Sequence, residues 1–501
     1  MLSFEEYSKR DALELAGLVR AGEITAPELM DTALAAIGTR GAELNAVVIR
    51  DDALARTEAA AAPTDTPFAG VPFLPKDINV AVAGWPMTYA SRYFADVPPA
   101  DKDSVLAARW RKAGLVVAGR TNMPEFAAEF VCEPELYGPT RNPWNLGRTP
   151  GGSSGGAAAA VAAGLVPMAH ASDSGGSIRV PAACCGIFGF KPTSGLVATG
   201  ASIGPLVNGL NCDHVVTRTV RDSAALLDLT AGPEPGMSTA FAAPATQFLD
   251  AAGRPPRRLR IGLCPQAPCG HNATAEITDH LQEAGALLAE MGHDVEEWSW
   301  PTGCDPYEPA SVLWTEEIAF FFDQRRTELG RPPSDDELGR IIHLALEQAA
   351  RIDGLQRVRM QQAAWDIRRR VAQAMRDTDV LMTPVIAEPP LTTGLLSNIR
   401  GLDLDAWHKR SNNFAPFTEI FNMTGQPAMS VPLFRTSDGM PLGIQFAGRV
   451  GEDCTLMALA GELERRHPWP HLGQIDDGRV TASAIAQTPL CRDSNVSTRG
   501  R

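Results

Sequence analysis

The 501-residue chain is 44% hydrophobic and 21% charged, the balance of an ordinary globular protein with enough length for a large core. Its net charge of −14, without a dense Lys/Arg cluster, argues against a nucleic acid partner. No apolar run approaches the ~20 residues of a membrane helix. Nine scattered cysteines behind a polar start at Met1–Glu6 show neither a disulfide framework nor a secretory leader, so reduced thiols in the cytoplasm are expected.

Ser3 with Glu6 has capping-box spacing, and Leu13, Leu15, Leu18 and Val19 continue it as one helix that Gly22 stops. Thr25 with Glu28 opens the next helix, carried by Leu29, Ala33 and Ile37. A strand over 45–49 and a helix over 51–61 follow. In the stiff, apolar segment from Phe68 to Ile78 one lysine stands out, Lys76. A lysine at a strand end commonly snorkels to water, and the alternative is burial with a task. A helix over 104–112 ends at Gly114, a strand spans 115–118, and the turn 119–122 predicts another helix. Strand, glycine loop and helix in alternation argue for an α/β fold.

Two serine–glycine clusters then flank a short alanine-rich helix at 157–163. One is Gly151-Gly152-Ser153-Ser154-Gly155-Gly156, the other Ser172-Asp173-Ser174-Gly175-Gly176-Ser177-Ile178-Arg179. Either alone reads equally well as a helix-capping loop. Core strands are predicted over 165–169 and 187–192, a strand end over 215–219 and a helix over 222–229. Composition turns to Pro, Ala and Gly near 231, which marks a connection. A strand at 259–263, a long helix over 274–291, a charged helical region over 305–378 and a strand at 379–384 follow. Met429–Leu433 and Leu442–Phe446 form a strand pair through Asp438-Gly439, and a last helix spans 455–466.

Amide cleavage needs a nucleophile, a base and a place for the developing negative charge. His170 and His214 lie near the glycine loops, yet neither has a triad context and no Gly-x-Ser-x-Gly elbow is present. Lysine serves as a base only when neutral. Bringing it from about 10.4 to about 7 takes roughly 4.6 kcal/mol, which desolvation by Phe73, Leu74 and Ile78 could supply, with Asp77 opposing if it faces the same way. The glycines of 174–177 leave backbone amides unshielded for an oxyanion. Cys264, Cys269 and His271 are near one another but lack a second ligand pair for a metal, and Cys184 and Cys185 read as small buried apolar groups.

Lys76 and the two serine–glycine runs closely resemble the amidase signature family. Asn142-Pro143-Trp144, Pro181, Cys185-Gly186, Gly189-Phe190-Lys191-Pro192-Thr193, Thr383-Pro384, Thr424-Gly425-Gln426-Pro427 and Asp438-Gly439 extend the likeness over about residues 5–470. The resemblance implies Ser177 as nucleophile, Ser153 as bridging serine after a cis Gly152–Ser153 peptide, and Lys76 as general base and acid. It implies an oxyanion hole from the amides of Ser174, Gly175, Gly176 and Ser177, with Ser154, Asp173 and Arg179 in support. Departures are mild: Ser172 and Ser174 stand where threonine is common, and Ala157 where serine is. Glu133-Pro134-Glu135 and the run Arg141–Arg148 look most like the cyclic aminohexanoate-dimer hydrolase branch, which implies a small linear or cyclic amide substrate.

The expected fold is α/β, a mixed central sheet flanked by helices on both faces. Residues 1–480 are expected to form a single domain with a catalytic core at about 65–225, and 481–501 a disordered tail. The expected reaction is hydrolysis of a carboxamide to carboxylate and amine or ammonia, with no cofactor, no metal, and a homodimer as the expected assembly. Helices over about 305–420 with Met123, Phe126, Ala127 and Ala128 are expected to line the pocket. Trp314, Phe320, Phe321 and Phe322 read either as its wall or as packing. Two other readings fit the same motifs: the amidase subunit of a glutamine-dependent tRNA amidotransferase, distinguished by a stable partner and glutaminase activity, and a silent binding protein, distinguished by failure to label with a fluorophosphonate.

Overall fold

A computed structural model describes residues 2–198, 206–237, 240–396, 403–469 and 471–472; the expected tail at 481–501 lies outside the described residues. At the N-terminus, side-chain capping decides where helices begin. The Ser3/Glu6 box opens only Phe4–Ser8, because Asp11 and Glu14 form a second box and restart the chain as Ala12–Arg20. The single helix expected here is therefore two. Thr25 and Glu28 cap Ala26–Leu44 as expected.

Four short strands then build the ledge that holds Lys76. Val47–Ile49 (β1) pairs antiparallel with Arg120–Thr121 (β4), and Pro72–Phe73 (β2) pairs parallel with Val116–Val117 (β3). The helix expected after Gly119 does not form. The Thr121 amide donates to Pro75 O and that of Asn122 to Ala46 O, while Asn122 Oδ1 accepts from Met123 N, so these groups serve neighbouring segments. A short 3-10 turn, Glu125–Ala127, follows instead, with Phe126 and Ala127 in the left-handed region.

The central sheet has eight strands: Met168–Asp173 (β5), Phe188–Lys191 (β6), Cys212–Thr217 (β7), Arg260–Leu263 (β8), Asp294–Glu297 (β9), Val380–Pro384 (β10), Ala428–Arg435 (β11) and Pro441–Gly448 (β12). Their order is β5-β7-β6-β11-β12-β10-β8-β9. β8 runs parallel to both of its neighbours and every other pairing is antiparallel, so the sheet is mixed. The polar edge strand β9 has no apolar run and escapes a hydrophobicity reading. One face packs Met168, Phe188, Val215 and Phe446 against helices Val220–Thr230 and Asp453–Arg466. The other packs Ala169, Ala171 and Val216 against Gly155–Ala162, with Ile178 and Ala182 beside it. Among the described residues no helix is long and apolar enough to cross a membrane.

Close approach sets the position of the catalytic-loop helices. Helix Gly155–Ala162 is wholly buried, and a Cβ at Gly156 would lie 2.5 Å from Asn122 backbone atoms. Helix Arg179–Cys185 lies on β6, where a Cβ at Gly189 would lie 2.6 Å from Ala182 Cβ and 3.0 Å from Ile178 O. Gly189→Ala is expected to lower stability by about 1–3 kcal/mol through this overpacking. Gly354→Ala, where a Cβ meets nothing within 4 Å at the start of a helix, should be neutral or slightly stabilising. Urea unfolding of the two variants checks the contrast; equal midpoints would show that the helix–sheet approach at Gly189 is not a constraint.

Candidate active site

Strand alternation sorts the second serine–glycine cluster onto two sides of β5. His170 and Ser172 point to one face and Ala171 and Asp173 to the other. On the first face lies Lys76, fully buried with Ser153. Lys76 Nζ donates to Ser153 Oγ at 2.6 Å and to Ser172 Oγ at 3.0 Å. Burial pulls its ammonium down to about 7, against the opposing pull of Asp213, Cys132 and Asp173. Lys76 therefore does not snorkel, and Asp77 faces away from it: the Asp77 carboxylate accepts from Thr88 N at 2.9 Å, Thr88 Oγ1 at 2.5 Å and Ala90 N at 3.2 Å.

His170 and Asp213 form the kind of pair that a histidine-dependent triad would use, but they serve Lys76. Nδ1 of His170 accepts from the Lys76 amide at 3.2 Å, so the ring proton sits on Nε2 and is directed at Asp213 Oδ1, 3.1 Å away. Asp213 also accepts from Asn211 Nδ2, whose Oδ1 accepts from Ser174 Oγ at 2.9 Å. The Lys76 carbonyl is held from the other side by buried Arg120, at 3.0 Å. Asn211, Asp213 and Arg120 carry no motif in the sequence; only their contacts identify them.

On the opposite face, Asp173 and Arg179 form a fully buried bidentate pair at 2.8 and 2.9 Å. The remaining guanidinium hydrogens go to Thr418 O, Gln445 Oε1 and Asn422 Oδ1. Asn422 returns its amide to Asp173 O and Oδ1. Burial alone would raise Asp173, but Arg179, then Lys191 and Asn422, hold it at about 2. The Asp173 carboxylate also accepts from Ile178 N at 3.2 Å, which closes the 173–178 loop. Thr418 Oγ1 donates to Gly175 O at 2.6 Å, and Gly176 has φ +143 with its missing Cβ 2.2 Å from that hydroxyl, so only glycine fits. Among the described residues, none accepts a hydrogen bond from the amides of Ser174, Gly175, Gly176 or Ser177.

The two loops meet through Ser154, whose amide donates to Ser177 O at 3.3 Å and whose hydroxyl donates to Ser172 O at 3.2 Å. The Gly152–Ser153 peptide is cis. Above the loops lies a cavity of about 120 Å³, onto which Ser153, Ser172, Ser174, Gly175 and Ser177 open. Lys76 is not part of the wall; Ser153 and Ser172 stand between it and the space. Ser177 is 7% exposed, whereas Lys76 and Ser153 are fully covered. Phe126, Ala127 and Ala128 line the cavity as expected, and Trp314 and Phe321, which read either as wall or as packing, line it too, while Met123 and Phe322 are packed in the core and Phe320 is exposed. Glu129, Glu317 and Glu419 also line it; isolated glutamates give no sequence signal. No group of three or more possible metal-ligating side chains occurs among the described residues, and Cys264 donates to Gln266 O.

The family model described as Amidase matches residues 28–457. The 6-aminohexanoate-cyclic-dimer hydrolase of Paenarthrobacter ureafaciens is 35% identical, over 92% of this chain and 95% of its own length. An acylamidase of Rhodococcus erythropolis is 33% identical, over 91% and 95% of the two chains. The solved structure of 6-aminohexanoate cyclic dimer hydrolase complexed with substrate superposes with a TM-score of 0.88 at 33% identity, covering 93% of this chain and 98% of that one.

The buried lysine has a consequence for stability. The unfolded chain keeps that proton up to about pH 10.5 whereas the folded chain releases it near 7, so between these limits the unfolded state binds more protons and stability rises with pH. Lys76→Met removes this dependence. The stability of the variant relative to the parent is therefore expected to increase as pH falls from 10 to 7, by up to about 1.4 kcal/mol per pH unit. Urea titrations across that range check it; a flat difference would mean that the lysine keeps its proton in the fold.

Proposed function

The chain belongs to the amidase family and hydrolyses the C–N bond of small carboxamides, and on that premise we propose that it works through an acyl-enzyme on Ser177, with Ser153 and Lys76 carrying the proton. The observation that carries this reading is that Lys76, poised near neutrality, reaches the cavity only through a serine hydroxyl.

Ser177 Oγ attacks the carbonyl carbon, and its proton passes to Ser153 while the Ser153 proton passes to neutral Lys76. The carbonyl oxygen, now negative, is taken by the amides of the 174–177 loop, whose orientation Arg179, Asp173 and Thr418 fix beforehand. Lys76 returns the proton through Ser153 to the departing nitrogen, the C–N bond breaks, and amine or ammonia leaves. Water then enters by the same route in reverse roles and releases the carboxylate. Every proton taken up in acylation is given back, so the cycle closes without a cofactor.

An aliphatic amide, linear or cyclic, is the substrate class we favour. The apolar wall of Ile78, Phe126, Val207, Leu210 and Phe321 supports it, as does the likeness to the cyclic-dimer hydrolase. Residues 1–480 then work as one catalytic unit, an organisation supported by an apolar cluster that runs from Tyr7 to Trp469. The eight cysteines among the described residues are all free, which supports a reducing, cytoplasmic setting.

Two measurements test the mechanism. Ser177→Ala is expected to keep the native circular dichroism, lose fluorophosphonate labelling and lose at least about 10³-fold in kcat on an aliphatic amide; turnover near the parent rate would sink the acyl-enzyme. Because Lys76 must be neutral to accept the proton, kcat/KM should rise with pH through about 7 and level off above it. A profile that falls over the same range would remove lysine from the role of base.

A further inference from the structure

The cavity wall holds an excess of acidic groups that hydrolysis does not use. Three carboxyls line it, Glu129, Glu317 and Glu419, and among the described residues no arginine or lysine does. The histidine in the wall, His408, is held down at about 4 by burial and is neutral at pH 7. Glu317 is committed to the Val207 amide. Glu129 and Glu419 are neither hydrogen bonded nor ion paired to any described residue, and burial, reinforced by Glu133 and Glu125 for the one and Asp305 for the other, pushes each up to about 8.

Their positions relate them to the reacting centre. Glu129 belongs to the segment packed against the first serine loop: its carbonyl oxygen lies 2.6 Å from where a Cβ at Gly152 would be. Glu419 follows Thr418, the residue that clamps Gly175, and its Oε1 lies 3.5 Å from the Cβ position of Gly175. Both residues thus sit against the loops that carry the serines, and both line the cavity onto which Ser153 and Ser177 open. Aromatic rings stand in the same wall: Tyr307 and Trp314 bracket His408, with centroids 6.1 and 5.2 Å from its ring. Carboxylates beside aromatic faces in a desolvated pocket are the surroundings that hold an organic ammonium ion.

We propose that the enzyme selects amides that carry a protonated amine, with Glu129 and Glu419 as the residues that recognise the ammonium group. The proposal rests on the reading of Ser177 as nucleophile and adds a substrate class to it. An ammonium entering the cavity supplies the opposite charge that neither carboxyl finds in the protein, and it favours their ionised form. A neutral aliphatic amide fills the same apolar space but leaves both carboxyls without a partner.

The test compares hexanamide with 6-aminohexanamide at about pH 9, where an alkylammonium with pKa near 10.4 is still charged. The expected kcat/KM is about tenfold or more in favour of the amino-amide, the worth of about 1.4 kcal/mol. Glu419→Gln and Glu129→Gln should each reduce that ratio several-fold through KM, and 150–500 mM salt should reduce it in the parent as well. A parent ratio of one or less overturns the proposal, as does an unchanged ratio in both variants. Failure of the parent to hydrolyse either amide, or retention of activity by Ser177→Ala, would instead overturn the reading of the site itself, so the two failures are distinguishable.

Discussion

The contact between Lys76 and Ser153 governs the site, because it exists only where a lysine has been taken wholly out of water. A buried ammonium is costly unless paired, and the residues around this one withhold a pair. Asp213 and Asp173 are near enough to oppose the loss of charge, yet Asp213 is engaged by His170 and Asn211 and Asp173 by Arg179. Were either carboxylate to bind Nζ directly, the lysine would stay protonated and could take nothing from Ser153. The commitments of the neighbouring acids therefore matter as much as the apolar walls.

Around that contact the fold builds two rigid frames. His170 and Arg120 hold the backbone of Lys76 at its amide and its carbonyl, which leaves the side chain one direction to extend. The Arg179 guanidinium holds the other frame, joining the loop after β5 to Thr418, Asn422 and Gln445, residues more than 230 positions away in sequence. Each donor of that guanidinium meets an acceptor, so the buried charge is fully coordinated, and the amides of 174–177 keep their orientation before any substrate arrives. Ser154 ties the frames together through its amide, which donates to Ser177 O, and its hydroxyl, which donates to Ser172 O and accepts from Ser172 N.

Much of this was legible in the sequence wherever local chemistry is self-sufficient. Capping boxes, the alanine helix, the long helix at 275–290 and the β11–β12 hairpin depend on neighbours in the chain, and their patterns announce them. The α/β class followed from their alternation. Lys76, Ser153 and Ser177 stood out only together and through the family resemblance, since either loop alone reads as a cap and a strand-end lysine commonly snorkels. The expectations that failed are those settled by distant partners. Residues 119–122 have the look of a helix start, but the amides of Thr121 and Asn122 donate to carbonyls at 75 and 46, and the Asn122 carbonyl accepts from Gly156 N. Asp11 divides the first helix because its side chain reaches Glu14 N before the apolar repeat can run through. His170 looked unassigned since its partners, the Lys76 amide and Asp213, are 94 and 43 residues off. The acids of the cavity share this opacity: an isolated glutamate has no pattern until the fold shows what it faces.

The chain thus treats its enclosed acids in two ways. Asp173 is surrounded by donors and kept ionised near 2, and it serves as a strut. Glu129 and Glu419 face the cavity without donors and lie near 8, and they contribute no hydrogen bond to the fold. Packing does not explain the second group, since an apolar residue or a glutamine would fill either position without the desolvation penalty of a carboxylate. Acids perturbed in that way cluster at functional sites, and in the proposal a ligand supplies the missing charge. On the proposed mechanism, the same low dielectric that would let Lys76 work as a base would sharpen the carboxyls as selectors, because each interaction inside a water-poor cavity is stronger than it would be at the surface. Base strength and charge selectivity would then be two results of one enclosure.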